Sequence, residues 1–399
     1  MILRHALFLA LHSLRHSWKR NALLACVLGV SLGLPLLLNS MLARASIDMR
    51  ARTSIAPLLL GAKGSESDLV FGAMFFASTP PQGLVMRDLA RVEADNLATA
   101  IPLVLGATAR KTHIVGTSID YFEQRALVPR EGVLFALIGE CVLGADVAAT
   151  LELQLGETFF TDPADLANLA GVFPLELRVC GILPRTNSPD DNAIFTDLRT
   201  MWSIRGLGHR HEDPATSTTA GAVIGATKDA DTSTTIAGEA LPIERTQQSD
   251  LAPNFHFHGA TSDFPLDGAL VFPADTKSRA LLIGRFNGAD EQLQLIRPDL
   301  YADRVLNRIF GVARVLATIA YATATLVALV VASAFMLSMR LRADELALMQ
   351  RLGASRGRVV MFVTTEAVLL VVVGCAGAAV VSMCAPLMSH WVLRLVSGS

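Results

Sequence analysis

Charge is scarce in this 399-residue sequence, and what there is nearly cancels. Only 18% of residues are Asp, Glu, Lys or Arg, and 34 basic against 36 acidic side chains leave a formal net charge of −2. No global basic field is present to neutralise phosphates, so nucleic acid is not expected as a partner. Cysteine is equally rare at 5 residues, which excludes a small fold stapled by disulfides. The Gly-x-x-x-x-Gly-Lys-Ser/Thr loop that cradles nucleotide phosphates is missing, so the chain is not expected to hydrolyse ATP by itself.

Apolar residues fill the space that charge leaves. At 52% hydrophobic, the composition excludes a disordered chain and points to a membrane protein. A helix needs roughly 20 apolar residues to cross about 30 Å of hydrocarbon. Residues 21–43 carry no charge, residues 309–339 are uncharged from Val315 onward, and residues 359–393 are interrupted only by Glu366, Pro386 and His390. Three spans put the termini on opposite sides. Arg4, Arg15, Lys19 and Arg20 precede the first span, and Arg340, Arg342, Arg351, Arg356 and Arg358 fill the second connection. The positive-inside rule places both basic segments in the cytoplasm, with residues 44–308 and the tail 394–399 outside. A competing reading of the first span is a cleavable signal peptide, with Ala43-Arg44-Ala45 as its cleavage site. Against it stand the length of the apolar run and the amphipathic, basic helix expected over residues 1–20.

The fold expected is an α+β membrane protein: three transmembrane helices with a large extracytoplasmic mixed α+β domain between the first and second. Short apolar runs at 114–117, 133–138, 175–183 and 193–198 predict strands, and three- and four-residue spacing predicts helices near 86–96, 144–155 and 197–204. Residues 213–240, rich in Thr, Ser, Ala and Gly, read as a flexible loop. Cys141 and Cys180 are the only cysteines of this region, and either a disulfide or two small buried hydrophobes fits their setting. No Gly-x-Ser-x-Gly elbow occurs in the outer domain, and no repeat at solenoid period occurs in the chain.

The connection 340–358 reads as a short amphipathic helix. Leu341, Leu346, Leu348, Met349 and Leu352 form its apolar stripe, and Gly353 sits at a C-cap position. A solvated basic linker accounts for the arginines but leaves that stripe uncovered. The order Arg342, Glu345, Leu346, Met349, Leu352, Gly353, Ala354, Ser355, followed by Glu366, Gly374 and Gly377 in the next span, resembles the FtsX/MacB-like permeases of ABC transporters. The order of parts along the chain resembles them as well.

The resemblance implies that 340–358 is a coupling helix docking into a separate ABC-type ATP-binding subunit. Arg342, Glu345, Leu346, Leu352, Gly353 and Ala354 would carry that contact. It further implies a homodimer in the bacterial inner membrane, a periplasmic binding or adaptor protein as a further partner, and ATP as a cofactor only through the ATPase. It also implies a fourth span, which does not follow the third here. The same layout fits an FtsX-like envelope regulator that activates a partner without transporting a substrate.

Glu366 lies within about two turns of the basic connection and is expected to pair there. Gly374 and Gly377, with Ala376, Ala378 and Ala379, offer a small-residue face for helix packing. Two His-x-His pairs, His209/His211 and His256/His258, hold four of the five histidines of the outer domain. Alternate strand positions share a face, so each pair is able to present two imidazoles to one ion, with zinc the natural candidate. The bland alternative is a solvent-facing strand whose Phe255 and Phe257 point inward. The run 254–266 resembles a segment of a MacB-like subgroup linked to periplasmic metal handling. His209, His211 and Asp213 also spell the first ligand cluster of metallo-β-lactamase-like hydrolases, but Pro214 stands where that family has its next His.

Overall fold

The computed structural model describes residues 2–163, 174–210, 226–227, 234–235, 255–257, 259–288 and 290–383. The chain divides into two compact units, one of Met1–Asp48 with Arg304–Gly398, the other of Met49–Asp303. It opens with helices α1 (Ile2–His16) and α2 (Trp18–Thr53), the latter continuing through Pro35. Within the second unit follow β1 (Leu58–Ala62), α3 (Glu66–Phe75), β2 (Leu84–Val85), α4 (Met86–Glu93), β3 (Ala98–Ala109), β4 (Thr112–Thr117), α5 (Asp120–Gln124) and β5 (Glu131–Gly132). The domain continues with β6 (Glu140–Leu143), α6 (Ala145–Leu151), β7 (Thr158–Phe160), β8 (Glu176–Ile182), β9 (Ala193–Thr196), α7 (Leu198–Ile204) and β10 (Gly208–Arg210). The short strands β11 (Ala226–Thr227), β12 (Thr234–Thr235), β13 (Phe255–Phe257) and β14 (Pro265–Leu266) precede β15 (Gly268–Pro273), α8 (Thr276–Phe286) and β16 (Leu293–Ile296). Last come α9 (Pro298–Leu341), α10 (Ala343–Arg351) and α11 (Arg356–Met383).

Caps mark where the domain helices begin. Ser65 accepts from the Asp68 amide at 3.2 Å, Asp197 from Thr200 at 2.9 Å and Asp275 from Ser278 at 2.6 Å, each satisfying an amide that the first turn leaves open. The main sheet has the order β16-β1-β15-β3-β4-β9-β6-β8-β5, with β7 also on β8. It is mixed: β4 with β9 and β6 with β8 run parallel, and the other pairs are antiparallel. Alternation along the strands fills both faces. In β3, Ala98, Ala100 and Val104 enter one apolar cluster, while Ile101, Leu103 and Leu105 enter the other. Leu58 and Leu60 of β1 lie on the first side and Leu59 on the second, as period two requires. Leu89, Val92, Val147, Trp202 and Leu282 bring α4, α6, α7 and α8 to the first face, and Leu69, Val70, Tyr121 and Phe122 bring α3 and α5 to the second.

Three expected strands are present as β4, β8 and β9. The run 133–138 is not a fourth: after the Val133 amide, which still donates to the Cys180 carbonyl at 2.9 Å, it leaves the sheet, and Gly132 (φ 77) and Gly139 (φ 84) bracket the run with left-handed backbone. Phe135 still reaches the core, while Val133 stays outside it. Cys141 and Cys180 form no disulfide; the Cys180 thiol donates to the Cys141 carbonyl at 3.2 Å. Burial, then the neighbouring Glu140 carboxylate, pushes that thiol up to about 12. Of the flexible loop expected at 213–240, only β11 and β12 are described, as an antiparallel pair. The remainder of that loop, and the part of the third span beyond Met383, lie outside the described residues.

One buried ionic cluster stands at the end of α2. Arg52 donates from Nη1 to Asp190 Oδ2 at 2.9 Å, pairs through Nη2 with Oδ1 at 2.8 Å, and reaches the Tyr121 hydroxyl at 3.2 Å. Its Nε bonds the Met74 carbonyl, and its guanidinium lies over the Phe76 ring, 5.3 Å from the centroid. Tyr121 donates to Asp190 Oδ1 at 2.7 Å, and Arg125 pairs with Oδ2 at 2.5 Å. Burial alone would raise the Asp190 carboxyl, but Arg52 and then Arg125 outweigh it and hold it at about 2. On the same side of the domain boundary Arg50 pairs with Asp303 at 2.8 Å.

Candidate coupling site

Among the described residues, three helices are long and apolar enough to cross a membrane, namely α2, α9 and α11. Within their unit, glycines set the closest approach. A Cβ on Gly29 would lie 3.0 Å from the Gly374 carbonyl oxygen, and one on Gly33 would lie 2.9 Å from the Val381 Cβ. One on Gly374 would meet the Leu28 side chain at 2.8 Å, and one on Gly377 would come within 3.8 Å of the Gly29 Cα. The small-residue face of α11 is therefore turned to α2 of the same chain. Its counterpart, Gly29-Val-Ser-Leu-Gly33, is a Gly-x-x-x-Gly pattern that the sequence reading passed over.

The connection between α9 and α11 is a helix, α10, with a break at each end. At its start, Arg342 leaves helical geometry (φ −102, ψ 15). At its end, the Ala354 amide donates to Met349 O and the Gly353 amide to Gln350 O, each at 3.0 Å. This pair of bonds is a Schellman turn, which needs the left-handed backbone that Gly353 supplies at φ 97. No residue of α10 is buried, and Leu341, Leu348 and Leu352 are 80%, 56% and 80% exposed. Leu346 and Ala354 are half-buried, while Glu345 is exposed.

Arg342 is the hub at the base of α10. Its Nε donates to Glu345 Oε2 at 3.1 Å, its Nη1 to Glu366 Oε1 at 3.4 Å and its Nη2 to Ser13 Oγ at 2.9 Å. Ser13 in turn donates to Glu366 Oε1 at 3.0 Å. Glu366 is fully buried, and its Oε2 has no hydrogen-bond partner among the described residues. Side chains from α1, α11 and the residue before α10 thus close a three-way polar joint. Nearby, Arg20 bonds Ser338 and Asn21 donates to the Leu14 carbonyl at 3.3 Å. Neither Ser13 nor Ser338 carries a signal in the sequence, because a lone serine in an apolar helix is common filler.

The histidines separate from this joint. β10 and β13 pair antiparallel with His209 opposite His256. His211 and His258 lie outside the described residues. Among the described residues no group of three or more His, Cys, Asp or Glu is placed to hold a metal.

The family model of the MacB-like periplasmic core domain matches residues 43–241. Comparison with curated proteins returns no match. Among solved structures, the periplasmic region of MacB from Actinobacillus actinomycetemcomitans is similar with a TM-score of 0.35 and 11% identity, over 64% of this chain and 95% of that one. The extracellular domain of the noncanonical ABC-type transporter YknZ from Gram-positive bacteria gives a TM-score of 0.32 and 12% identity, over 60% and 98%. Residues 43–241 thus carry a MacB-like periplasmic core domain, and among the described residues one long apolar helix leads into it and two follow it, a layout similar to that of the FtsX/MacB-like permeases of ABC transporters.

Proposed function

We propose that this chain is the membrane subunit of an ABC complex in the bacterial inner membrane, and that it passes ATP-driven motion from a separate cytoplasmic ATPase to its extracytoplasmic domain. The observation that carries the reading is the state of α10. Leu348 within it and Leu341 and Leu352 at its ends are uncovered, yet its base is tied by Arg342 to Glu366 of α11 and Ser13 of α1. A solvated linker has no use for Leu341, Leu348 and Leu352, whereas a groove on an ATPase covers them and converts a push on α10 into movement of two helices. Leu346, Leu352, Gly353 and Ala354 supply the docking end, and Arg342 with Glu345 the base. The chain acts as a homodimer in this reading.

Affinity purification of the full chain from solubilised membranes tests it, with mass spectrometry of the eluate. An ABC-type ATPase is expected with the wild type. Leu348→Glu/Leu352→Glu should lose it. Gly353→Ala, at a left-handed position costing about 1 kcal/mol, should weaken it, and Arg342→Glu should retain the partner but lose ATPase stimulation. A wall hydrolase recovered without any ATPase would favour the regulator reading instead.

A second reading concerns metal. The register that sets His209 opposite His256 supports a zinc site built from the two histidine pairs, His209, His211, His256 and His258. Metal analysis of the purified full chain checks it: zinc is expected at one equivalent, and its retention after replacing all four histidines by Ala would refute the site.

A further inference from the structure

α1 carries a second surface, separate from the polar joint. One side of the helix is used internally, since Ala10 is fully buried and Ser13 is held on Glu366. That contact fixes the rotation of α1 and therefore which residues face outward. His12, Arg15 and His16 are all exposed, as are Leu7, Phe8 and Leu11, and across the turn at Ser17 so are Trp18 and Lys19 at the start of α2. No acidic residue occurs anywhere from Met1 to Ile47. Along the chain the nearest acid is Asp48, beyond the apolar stretch, and the carboxylate packed against α1, Glu366, is buried on the inner side and paired with Arg342.

Such a face suits neither water nor hydrocarbon. Leucine, phenylalanine and tryptophan lower into the boundary between headgroups and acyl chains, while arginine, lysine and histidine stay at phosphate level. We propose that α1, together with Trp18 and Lys19 at the start of α2, is a binding surface for anionic phospholipid headgroups, selecting phosphates of net negative lipids over zwitterionic ones. The argument is one of complementary charge: a run of basic groups with no acid among them, fixed at the entrance to a membrane-crossing helix. Arg15 lies in the last turn of α1, where the helix dipole leaves the carbonyl end negative and holds a cationic side chain in place. The inference rests on the membrane assignment of α2, and it stands whether or not α10 engages an ATPase.

Trp18 provides the readout. The full chain, with Trp202→Phe and Trp391→Phe, is placed in bilayer nanodiscs of phosphatidylcholine containing brominated phosphatidylglycerol or brominated phosphatidylcholine. Quenching of Trp18 gives the relative association of the two lipids. Each basic side chain near an anionic surface contributes about fivefold. The unsubstituted face should therefore prefer phosphatidylglycerol, and Arg15→Gln/Lys19→Gln should cut that preference by roughly 25-fold or to parity. High salt should erode the preference in the same direction. The substituted residues are exposed, so an unchanged thermal midpoint verifies that the fold is intact. Equal quenching by both lipids in the unsubstituted face overturns the proposal. So does a preference for phosphatidylglycerol that survives the double substitution, which would move the lipid site to the arginines of the α9–α11 connection.

Discussion

Replacing Asp190 by Ala removes the one carboxylate shared by Arg52, Arg125 and Tyr121. Arg52 is the decisive partner, because its side chain is only 4% exposed and that of Asp190 is fully buried. Breaking one member of a buried ion pair leaves the other charge uncompensated, a loss of about 3–5 kcal/mol. For a domain of this size each kcal/mol lowers the midpoint by about 2–4 °C, so a fall on the order of 10 °C is expected. Thermal unfolding of the full chain in detergent measures it, in the near-ultraviolet signal of the domain aromatics. Arg52→Met/Asp190→Leu should recover part of the loss, since it removes both charges and refills the volume. Acid gives an independent check with a defined sign. The Asp190 carboxyl is depressed to about 2 in the folded chain, against about 3.9 when unfolded. Its contribution, about 2 kcal/mol, is complete above about pH 5 and is lost as pH falls toward 2. An Asp190→Ala chain within about 1 kcal/mol of wild type, or one whose acid sensitivity equals that of wild type, would refute the account.

Gly29→Val should disrupt the packing of α2 on α11, because the nearest atom is the Gly374 carbonyl and cannot swing aside. Overpacking of this kind costs about 1–3 kcal/mol, and a lower melting point in detergent, milder for Gly377→Ala where 3.8 Å is free, is the check. Cys180 should resist maleimide at pH 7.5 in the folded chain, because its thiol is held protonated by burial. Labelling at that site should appear only on unfolding, and rapid native modification would contradict the environment described.

Much of the fold can be read from local pattern. Three apolar stretches announce α2, α9 and α11, and short apolar runs announce β9 and β8, the second with apolar and polar residues alternating over its first half. The failure at 133–138 has a physical cause: a run of consecutive apolar residues has no period, so length alone does not separate a strand from an irregular segment packed on the core. The motif at 342–355 is legible because its parts are adjacent, and the Schellman turn at Gly353 follows from local backbone chemistry. What stays hidden is long-range partnership. Arg52 and Asp190 are 138 residues apart, and Ser13 and Glu366 are 353 apart. Nothing in either neighbourhood names its partner. The Gly29/Gly33 spacing was visible as a pattern, but only the fold shows which helix it meets.

The isolation of α10 has a consequence for timing. A helix of nine residues is too short to nucleate and persist in water on its own, because several dihedrals must be fixed before the first bond forms. With a break at each end and no buried residue, α10 draws little order from its neighbours beyond the grip of Arg342. Under the proposed reading, part of its folding is then deferred to the moment of docking, and the ordering entropy is charged against the affinity of the contact. A contact weakened in that way releases readily, which suits a joint that has to be engaged and let go once per catalytic cycle.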